Sequence, residues 1–280
     1  MNQPTADLDL LSINQATTKI QWTLKEAING YQEQGIHGIS IWRDKLAEYG
    51  VEQASRHLIN ANMTVTGLCR GGMFTASTPK LRQVSIDETL MAVDEAAAIN
   101  AQCLVIVAGG LANGSKNIVQ AREQITEALL KVLPYARSAN IPIAIEPLHP
   151  MYAADRSCIN TMEQANDLCD LLGSGVGIAV DVYHVWWDPK LEEQIKRAGK
   201  ERILGFHICD WRVPTRDLLL DRAMMGDGVI DIAGIHKMVR DVGYTGYSEV
   251  EIFSNEWWSK PAFNVVSTCK ERYLEMMLKA

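Results

Sequence analysis

This sequence lacks several features that define other classes of protein. No uninterrupted apolar run approaches the ~20 residues that a membrane-spanning helix needs, which argues against a membrane span. The N-terminal stretch has no basic segment followed by an apolar one, so we expect no signal peptide. No CxxC or other paired cysteine spacing occurs, and most cysteines lie in apolar runs. These absences predict a cytoplasmic protein with reduced thiols at Cys69, Cys103, Cys158, Cys169, Cys209 and Cys269.

The sequence also lacks a basic stripe. Its net charge is −7, from 34 acidic and 27 basic residues. Binding to a nucleic-acid backbone requires clustered lysine and arginine, so we expect no nucleic-acid partner. A hydrophobic content of 47% and a charged content of 22% are typical of a globular protein that does not associate with membranes.

Strand-like and helix-like segments alternate along the whole chain and form eight pairs. The strand-like segments are nearly continuous apolar runs, as in parallel strands that are buried on both faces. No GxGxxG motif follows the first strand, which disfavours a doubly wound open sheet. We therefore predict an α/β fold, a single (β/α)8 TIM barrel formed by one domain over residues 1–280. Within it, we expect one helix over Lys45–Asn60, and a kink or an end at Pro134 in the helix Ile118–Ser138.

Four predicted strands each end near a residue of a type that binds metals. These are Glu146 in IPIAIEP, Asp181 in VGIAVDVYH, His207 in ILGFHICD and Glu251 in YSEVEIF. In a barrel they would end strands five to eight and lie close together, and such a set of oxygen and nitrogen donors suits a divalent cation. Taken singly, each carboxylate could be a helix cap or an ion-pair partner, and the histidine a core residue. Glu249 shares a strand face with Glu251, so either could be the ligand.

The segments IAIEPLHP, DVYH, GFHICDW, MGDGVID and VEIF together resemble the xylose-isomerase-like sugar phosphate isomerase/epimerase superfamily. SCINTMEQA and VEIFSNEWW are most similar to its inosose-isomerase-like branch. Ketose 3-epimerases of the superfamily have a second acidic residue where this chain has Tyr152, so the resemblance to that subfamily is incomplete. The resemblance implies one divalent ion, commonly Mn²⁺ with Mg²⁺, Co²⁺ or Zn²⁺ as alternatives, held by Glu146, Asp181, His207 and Glu251.

The resemblance also assigns two residues that contact the substrate, His184 in DVYH and Arg222 in RAMMGDG. Arg212 and Arg216 lie close to Arg222 in the sequence and could be confused with it. Four tryptophans follow the sixth and eighth strands, where they would either pack loops or form an apolar wall against a sugar. These are Trp186, Trp187, Trp257 and Trp258.

The function implied is a metal-dependent isomerase or epimerase of a small keto sugar, sugar acid or cyclitol. A cation on the carbonyl would stabilise an enediolate, and Glu146 and Glu251 would be the catalytic pair that removes and returns the proton. The same intermediate allows a lyase or dehydratase on an oxo-sugar or inosose as the alternative. An abasic-site endonuclease is disfavoured by the acidic charge and the small ligand set, and a non-catalytic metal-binding barrel by the four intact ligands. We expect a small carbohydrate as the partner, and a homodimer or homotetramer.

Overall fold

Eight parallel strands close into a barrel in the computed structural model, which describes residues 8–278. The barrel strands are β1 (Leu11–Asn14), β2 (Gly38–Trp42), β3 (Thr64–Gly72), β4 (Leu104–Val107), β5 (Ile143–Ile145), β6 (Val176–Asp181), β7 (Ile203–Ile208) and β10 (Ser248–Val250). Around the barrel these strands follow the order β1-β10-β7-β6-β5-β4-β3-β2. A separate two-stranded antiparallel sheet is formed by β8 (Asp210–Trp211) and β9 (Arg222–Ala223).

Helices follow the barrel strands and surround them, so the predicted (β/α)8 TIM barrel is confirmed. The α-helices are α1 (Leu24–Glu33), α2 (Arg43–Tyr49), α3 (Val51–Asn60), α4 (Pro79–Ala98), α5 (Ile118–Ser138), α6 (Met162–Leu172), α7 (Val182–Val185), α8 (Leu191–Arg202), α9 (Ile232–Asp241), α10 (Asn255–Trp258) and α11 (Ala262–Met277). Short 3-10 turns cover Leu8–Leu10, Gln15–Thr18 and Pro150–Tyr152. That one domain covers residues 1–280 stays a prediction.

The sequence explains why the barrel is stable and where its helices begin. Strand residues from β1, β4, β5 and β6 are almost entirely buried, because both faces of each strand are covered. Thr23 accepts a hydrogen bond from the backbone N–H of Glu26, and the Glu26 side chain accepts one from the Thr23 N–H, which makes a capping box at the start of α1. Thr161 caps α6 in a similar way by accepting a hydrogen bond from the Gln164 N–H.

One local prediction was wrong, and one of two alternatives at a second site is excluded. The single helix expected over Lys45–Asn60 is divided at Gly50, whose φ of 89° is left-handed and ends α2 before α3 begins. Pro134 lies inside α5 and does not end it, since apolar residues on both sides of it, Leu133 and Ala136, are buried and hold the helix on the barrel.

The long segment after β7 is the part of the fold that most affects the barrel mouth. Within this segment β8 and β9 pair and fix Arg222 beside the barrel. The six cysteines are buried and none forms a disulfide, as predicted. Among the helices of residues 8–278, none has the length and apolar character to cross a membrane.

Candidate metal centre and active site

The four predicted metal ligands lie together at the carboxyl ends of four adjacent barrel strands. Glu146 follows β5, Asp181 ends β6, His207 lies near the end of β7, and Glu251 follows β10. Parallel pairing sets Asp181 opposite His207, and thereby brings neighbouring strand ends into one arc. One donor atom of each of the four side chains lies within 4.8 Å of the others, and all four residues are buried. The sequence-predicted cluster is therefore present as a geometric unit.

The electrostatics of this cluster favour a cation. Burial raises the pKa of Glu251 to about 8. The nearby carboxylates of Glu146 and Asp181 also raise this pKa, whereas Arg222 lowers it. Burial opposes the charged form of His207, yet Glu249 and Glu146 together raise the pKa of its imidazole well above the ordinary value. In the absence of a metal, protons therefore neutralise part of the negative charge. Three buried carboxylates and one imidazole within 4.8 Å match the donor set of a hard or borderline divalent ion.

Glu249 and Glu251 have different surroundings, although they lie on the same strand face. Glu251 belongs to the four-residue cluster, whereas Glu249 accepts a hydrogen bond of 2.8 Å from the hydroxyl of Thr66 inside the barrel. The amide nitrogen of Asn14 donates to both carboxylates, at 2.8 Å to Glu249 and 3.0 Å to Glu251. The Asn14 oxygen in turn accepts from the indole N–H of Trp42 at 2.9 Å. This network holds Glu251 at the mouth and Glu249 one layer below it.

Arg222 and His184, the predicted substrate-contacting residues, are also buried in the site. One nitrogen of Arg222 donates to Asp181 at 2.9 Å and to Glu251 at 3.1 Å, and the other lies 3.1 Å from His184 Nε2. The guanidinium also lies over the ring of Tyr183, 4.4 Å from its centre. Burial lowers the pKa of His184 to about 3, so its imidazole is neutral. Because Arg222 can only donate, His184 Nε2 accepts and Nδ1 carries the proton.

Arg212 and Arg216, the alternatives to Arg222, lie elsewhere. Both pair with Asp221 and Glu256, and the Arg216 side chain is 56% exposed. They join the segment after β7 to the segment after β10. These ion pairs stabilise the loops at the barrel mouth. Of the three arginines, Arg222 is the one that contacts the cluster.

A cavity of about 460 Å³ opens above the cluster. Its walls combine charged side chains with apolar and aromatic ones, as in a pocket for a small polar molecule. The residues that line it include Lys19, Trp42, Arg70, Glu146, Tyr152, Arg156, His184, Arg222, Glu251 and Phe253. Tyr152 donates a hydrogen bond to the Leu218 carbonyl at 2.7 Å and lies edge-on against His184.

The aromatic wall of this cavity differs from the tryptophans considered from the sequence. Trp42 and Phe253 line it, whereas none of Trp186, Trp187, Trp257 and Trp258 does. Trp258 donates to the Ala16 carbonyl and Trp187 to the His184 carbonyl, so these two pack loops. Sequence reasoning also missed Arg70. It lies near the carboxyl end of a barrel strand, where active-site residues of such barrels are expected, and this position could have identified it.

Comparison with known proteins agrees with this geometry. The family model of the xylose isomerase-like TIM barrel matches residues 31–269. The chain belongs to this family. The crystal structure of a protein from Sinorhizobium meliloti 1021 is similar to this chain, with 54% sequence identity and a TM-score of 0.94. The match covers 95% of this chain and 98% of that one. The structure of the IOLI protein, which contains a zinc atom, matches with a TM-score of 0.84 and 22% identity. The match covers 96% of this chain and 98% of that chain, and it shows a shared fold.

Curated relatives of this xylose isomerase-like chain are more distant in sequence. Inosose isomerase of Bacillus velezensis is 27% identical over 160 residues, which is 54% of each protein. Inosose isomerase of Bacillus subtilis is 24% identical over 168 residues, or 57% of each. The chain thus spans about half the length of the curated relatives it matches.

Proposed function

We propose that this chain is a divalent-metal-dependent isomerase or epimerase of a small keto sugar, sugar acid or cyclitol. The observation that carries the proposal is the cluster of Glu146, Asp181, His207 and Glu251 under a cavity at the carboxyl end of the barrel. Active sites of TIM barrels form at this end. The inosose isomerases among the relatives, and a D-psicose 3-epimerase that shares the fold at a TM-score of 0.73, support the substrate class.

The metal would be held by the four residues of the cluster. We propose Mn²⁺, with Mg²⁺, Co²⁺ or Zn²⁺ as alternatives, because three carboxylates and one imidazole accept all of these ions. The zinc atom in the structure of the IOLI protein supports a divalent ion of this kind. When bound, such an ion polarises a substrate carbonyl and makes the adjacent C–H bond more acidic.

Glu146 and Glu251 are the proposed proton-transfer pair. Both line the cavity, and they extend from β5 and β10, which are separated by β6 and β7 in the barrel. One carboxylate removes the proton next to the carbonyl, and the other returns a proton from its own side. Return to the same carbon gives epimerisation, and return to the neighbouring carbon gives isomerisation.

His184 and Arg222 would orient the substrate. Both line the cavity, and the neutral imidazole of His184 is held in one tautomer by Arg222. Arg222 also fixes Asp181 and Glu251 through its hydrogen bonds, so it links the substrate pocket to the ligand set. Fixed donors of this kind stabilise charge that develops on substrate oxygens without reorganising during the reaction.

Exchange of substrate hydrogen with solvent deuterium tests the proposal directly. The protein is loaded with Mn²⁺ and incubated in D₂O with an inosose or with ketoses, and C–H exchange is followed by proton NMR. We expect exchange that slows by about a hundredfold or more in Glu146→Gln at saturating metal. Glu123→Gln, an exposed change on α5, is the matched control and should exchange normally.

The products identify the reaction class. Recovery of an epimer or an isomer supports the proposal, whereas net loss of water or of an aglycone would assign a lyase or dehydratase instead. An absence of exchange with every keto compound tested, in protein shown to bind the metal, would refute proton transfer as the function.

A further inference from the structure

Three cationic side chains that the proposed reaction does not use line the same cavity. Lys19 follows the turn after β1, Arg70 lies in β3, and Arg156 lies in the segment between β5 and α6. They come from separate parts of the chain and share one space. Cations that converge on a cavity focus its potential and attract anions.

Arg70 is the most informative of the three. It is partly buried, and within residues 8–278 no carboxylate lies at ion-pairing distance from its guanidinium. Burial and the neighbouring charge of Arg156 both lower the pKa of Arg70, so its environment disfavours the charged form. Arg43 shows the contrast, because its guanidinium forms paired hydrogen bonds with Glu95, one of them 2.9 Å long. A desolvated and unpaired cation is costly unless a ligand supplies the partner.

Arg156 and Lys19 have only weak partners. Arg156 lies 4.0 Å from Asp155, whose side chain is 66% exposed and also lines the cavity. Lys19 lies over two aromatic rings, with its nitrogen 4.8 Å from the centre of Phe253 and 4.7 Å from that of Trp258. Neither contact neutralises the cation as a close carboxylate would.

The charge balance of the loaded site leaves these cations in excess. The carboxylates of the cluster, those of Glu146, Asp181 and Glu251, are matched by Arg222 together with a divalent ion. Of the remaining lining residues, Lys19, Arg70 and Arg156 are positive and Asp155 is negative. The side chains that line the loaded cavity therefore keep a net positive charge of about two, which the Glu249 carboxylate buried below the cluster reduces to about one.

We propose that the substrate is an anion, a keto sugar with a carboxylate or a phosphate group, and that Arg70 and Arg156 bind this group with support from Lys19. For the reaction at the keto group of the substrate, this inference rests on the proposed function. Binding of the anionic group does not depend on it. Arginine pairs well with both carboxylate and phosphate because its planar fork matches their oxygens.

Titration calorimetry on metal-loaded protein tests the proposal with a matched set of probes. D-Fructose, D-fructuronate and D-fructose 6-phosphate differ in their anionic group, and inorganic phosphate serves as an anion without a sugar. We expect at least one anion to bind about tenfold or more tightly than fructose, and this preference to shrink as salt is raised. The stronger of the two sugar anions identifies the carboxylate or the phosphate as the natural group.

Variants separate the arginine site from direct binding to the metal. Arg70→Gln and Arg156→Gln should each weaken anion binding by about tenfold or more, whereas Arg70→Lys should retain part of it. Arg56→Gln removes an exposed arginine on α3 and should change nothing. Because Arg70 has no ion-pair partner among residues 8–278, its replacement should not lower the melting temperature. If Arg70→Gln does not fold, the variant at the partly exposed Arg156 tests the same site.

The outcomes also distinguish this inference from the proposed function. Equal affinity for fructose and all three anions, or anion binding that is unchanged in both glutamine variants, overturns the anionic substrate. Deuterium exchange that is equally fast on fructose and on both sugar anions, and insensitive to Arg70→Gln on all three, does the same and leaves the isomerase proposal in place. Arginine-dependent anion binding without exchange on any probe supports this inference and counts against the proposed reaction.

Discussion

Glu249 lies behind His207 on the side away from the cluster. The Nδ1 atom of His207 is 3.1 Å from Glu146 Oε1, whereas its Nε2 atom is 3.7 Å from Glu249 Oε1. The parallel register of β7 and β10 places the two residues opposite each other. A carboxylate behind a ligating histidine fixes the orientation of the ring and increases its basicity.

This relationship predicts the effect of Glu249→Gln on metal binding. The variant keeps the shape of the side chain and removes the charge behind His207, so affinity for Mn²⁺ or Zn²⁺ should fall about 10- to 100-fold. Competition with a fluorescent chelator measures the change. Glu123→Gln, on the outer surface of α5, should keep the wild-type affinity, and an equal affinity in Glu249→Gln would remove Glu249 from the metal site.

Metal binding should release protons near neutral pH. In the metal-free protein the pKa of Glu251 is about 8 and that of His207 is well above its ordinary value, so both hold protons at pH 7. The metal requires the deprotonated forms of both groups, so its affinity should rise as pH increases through the pKa of Glu251 and level off only above both pKa values. Calorimetry in buffers of different ionisation enthalpy counts the protons released. A binding constant independent of pH, with no proton release, would contradict this account.

Removal of the metal should destabilise the fold because the ion offsets the repulsion among buried carboxylates. A ligand that binds only the folded state contributes about 2.7 kcal/mol when its concentration is 100 times its dissociation constant. We therefore expect a chelator to lower the melting temperature of the wild type. In Asp181→Asn, which lacks one ligand, added metal should produce a smaller shift, and a wild-type shift in this variant would exclude Asp181 from the site.

The sequence predicted the barrel and the position of the cluster because both depend on short local patterns. Apolar runs identify strands buried on two faces, and the parallel register then brings residues at the ends of neighbouring strands together, as for Asp181 and His207. It did not predict Asn14, whose importance comes from contacts with Glu249 and Glu251 more than 230 positions away in the chain. One asparagine in a strand has no local signature of such a role.

The sequence also did not predict the outer parts of the site, for a different reason. The position of Lys19 beside Phe253 and Trp258 depends on how segments after the first and last barrel strands pack. The pairing of β8 with β9 occurs between segments of two residues each, which are too short to show a strand periodicity. Side-chain roles that arise from loop packing thus require the three-dimensional structure.

Asn14 should be essential for the stability of the metal-free site. Asn14→Leu removes a donor shared by two buried carboxylates and the acceptor used by the Trp42 indole, so we expect a loss of about 2 kcal/mol or more. Urea denaturation in the presence of a chelator measures it. Asn264→Leu, an exposed change on α11, is the matched control and should remain within about 0.5 kcal/mol of the wild type.

Asp210 should control the position of Arg222 through the backbone that follows β9. Its carboxylate accepts hydrogen bonds from the backbone N–H groups of Gly226 and Gly228, both 3.0 Å long, and from that of Ile230 at 2.9 Å. An amide nitrogen cannot accept, so Asp210→Asn should lose about 1–3 kcal/mol of stability and slow deuterium exchange, with little change in metal affinity.

The matched control for this change is Asp231→Asn at the start of α9. Asp231 is exposed and accepts a hydrogen bond from the Gly234 N–H, so its replacement should cost at most about 1 kcal/mol and leave exchange intact. Equal losses of exchange in the two variants would mean that general loosening of the segment is responsible. A selective loss in Asp210→Asn, with metal affinity retained, would place Arg222 in the step after metal binding, because the ligand cluster itself is left in place.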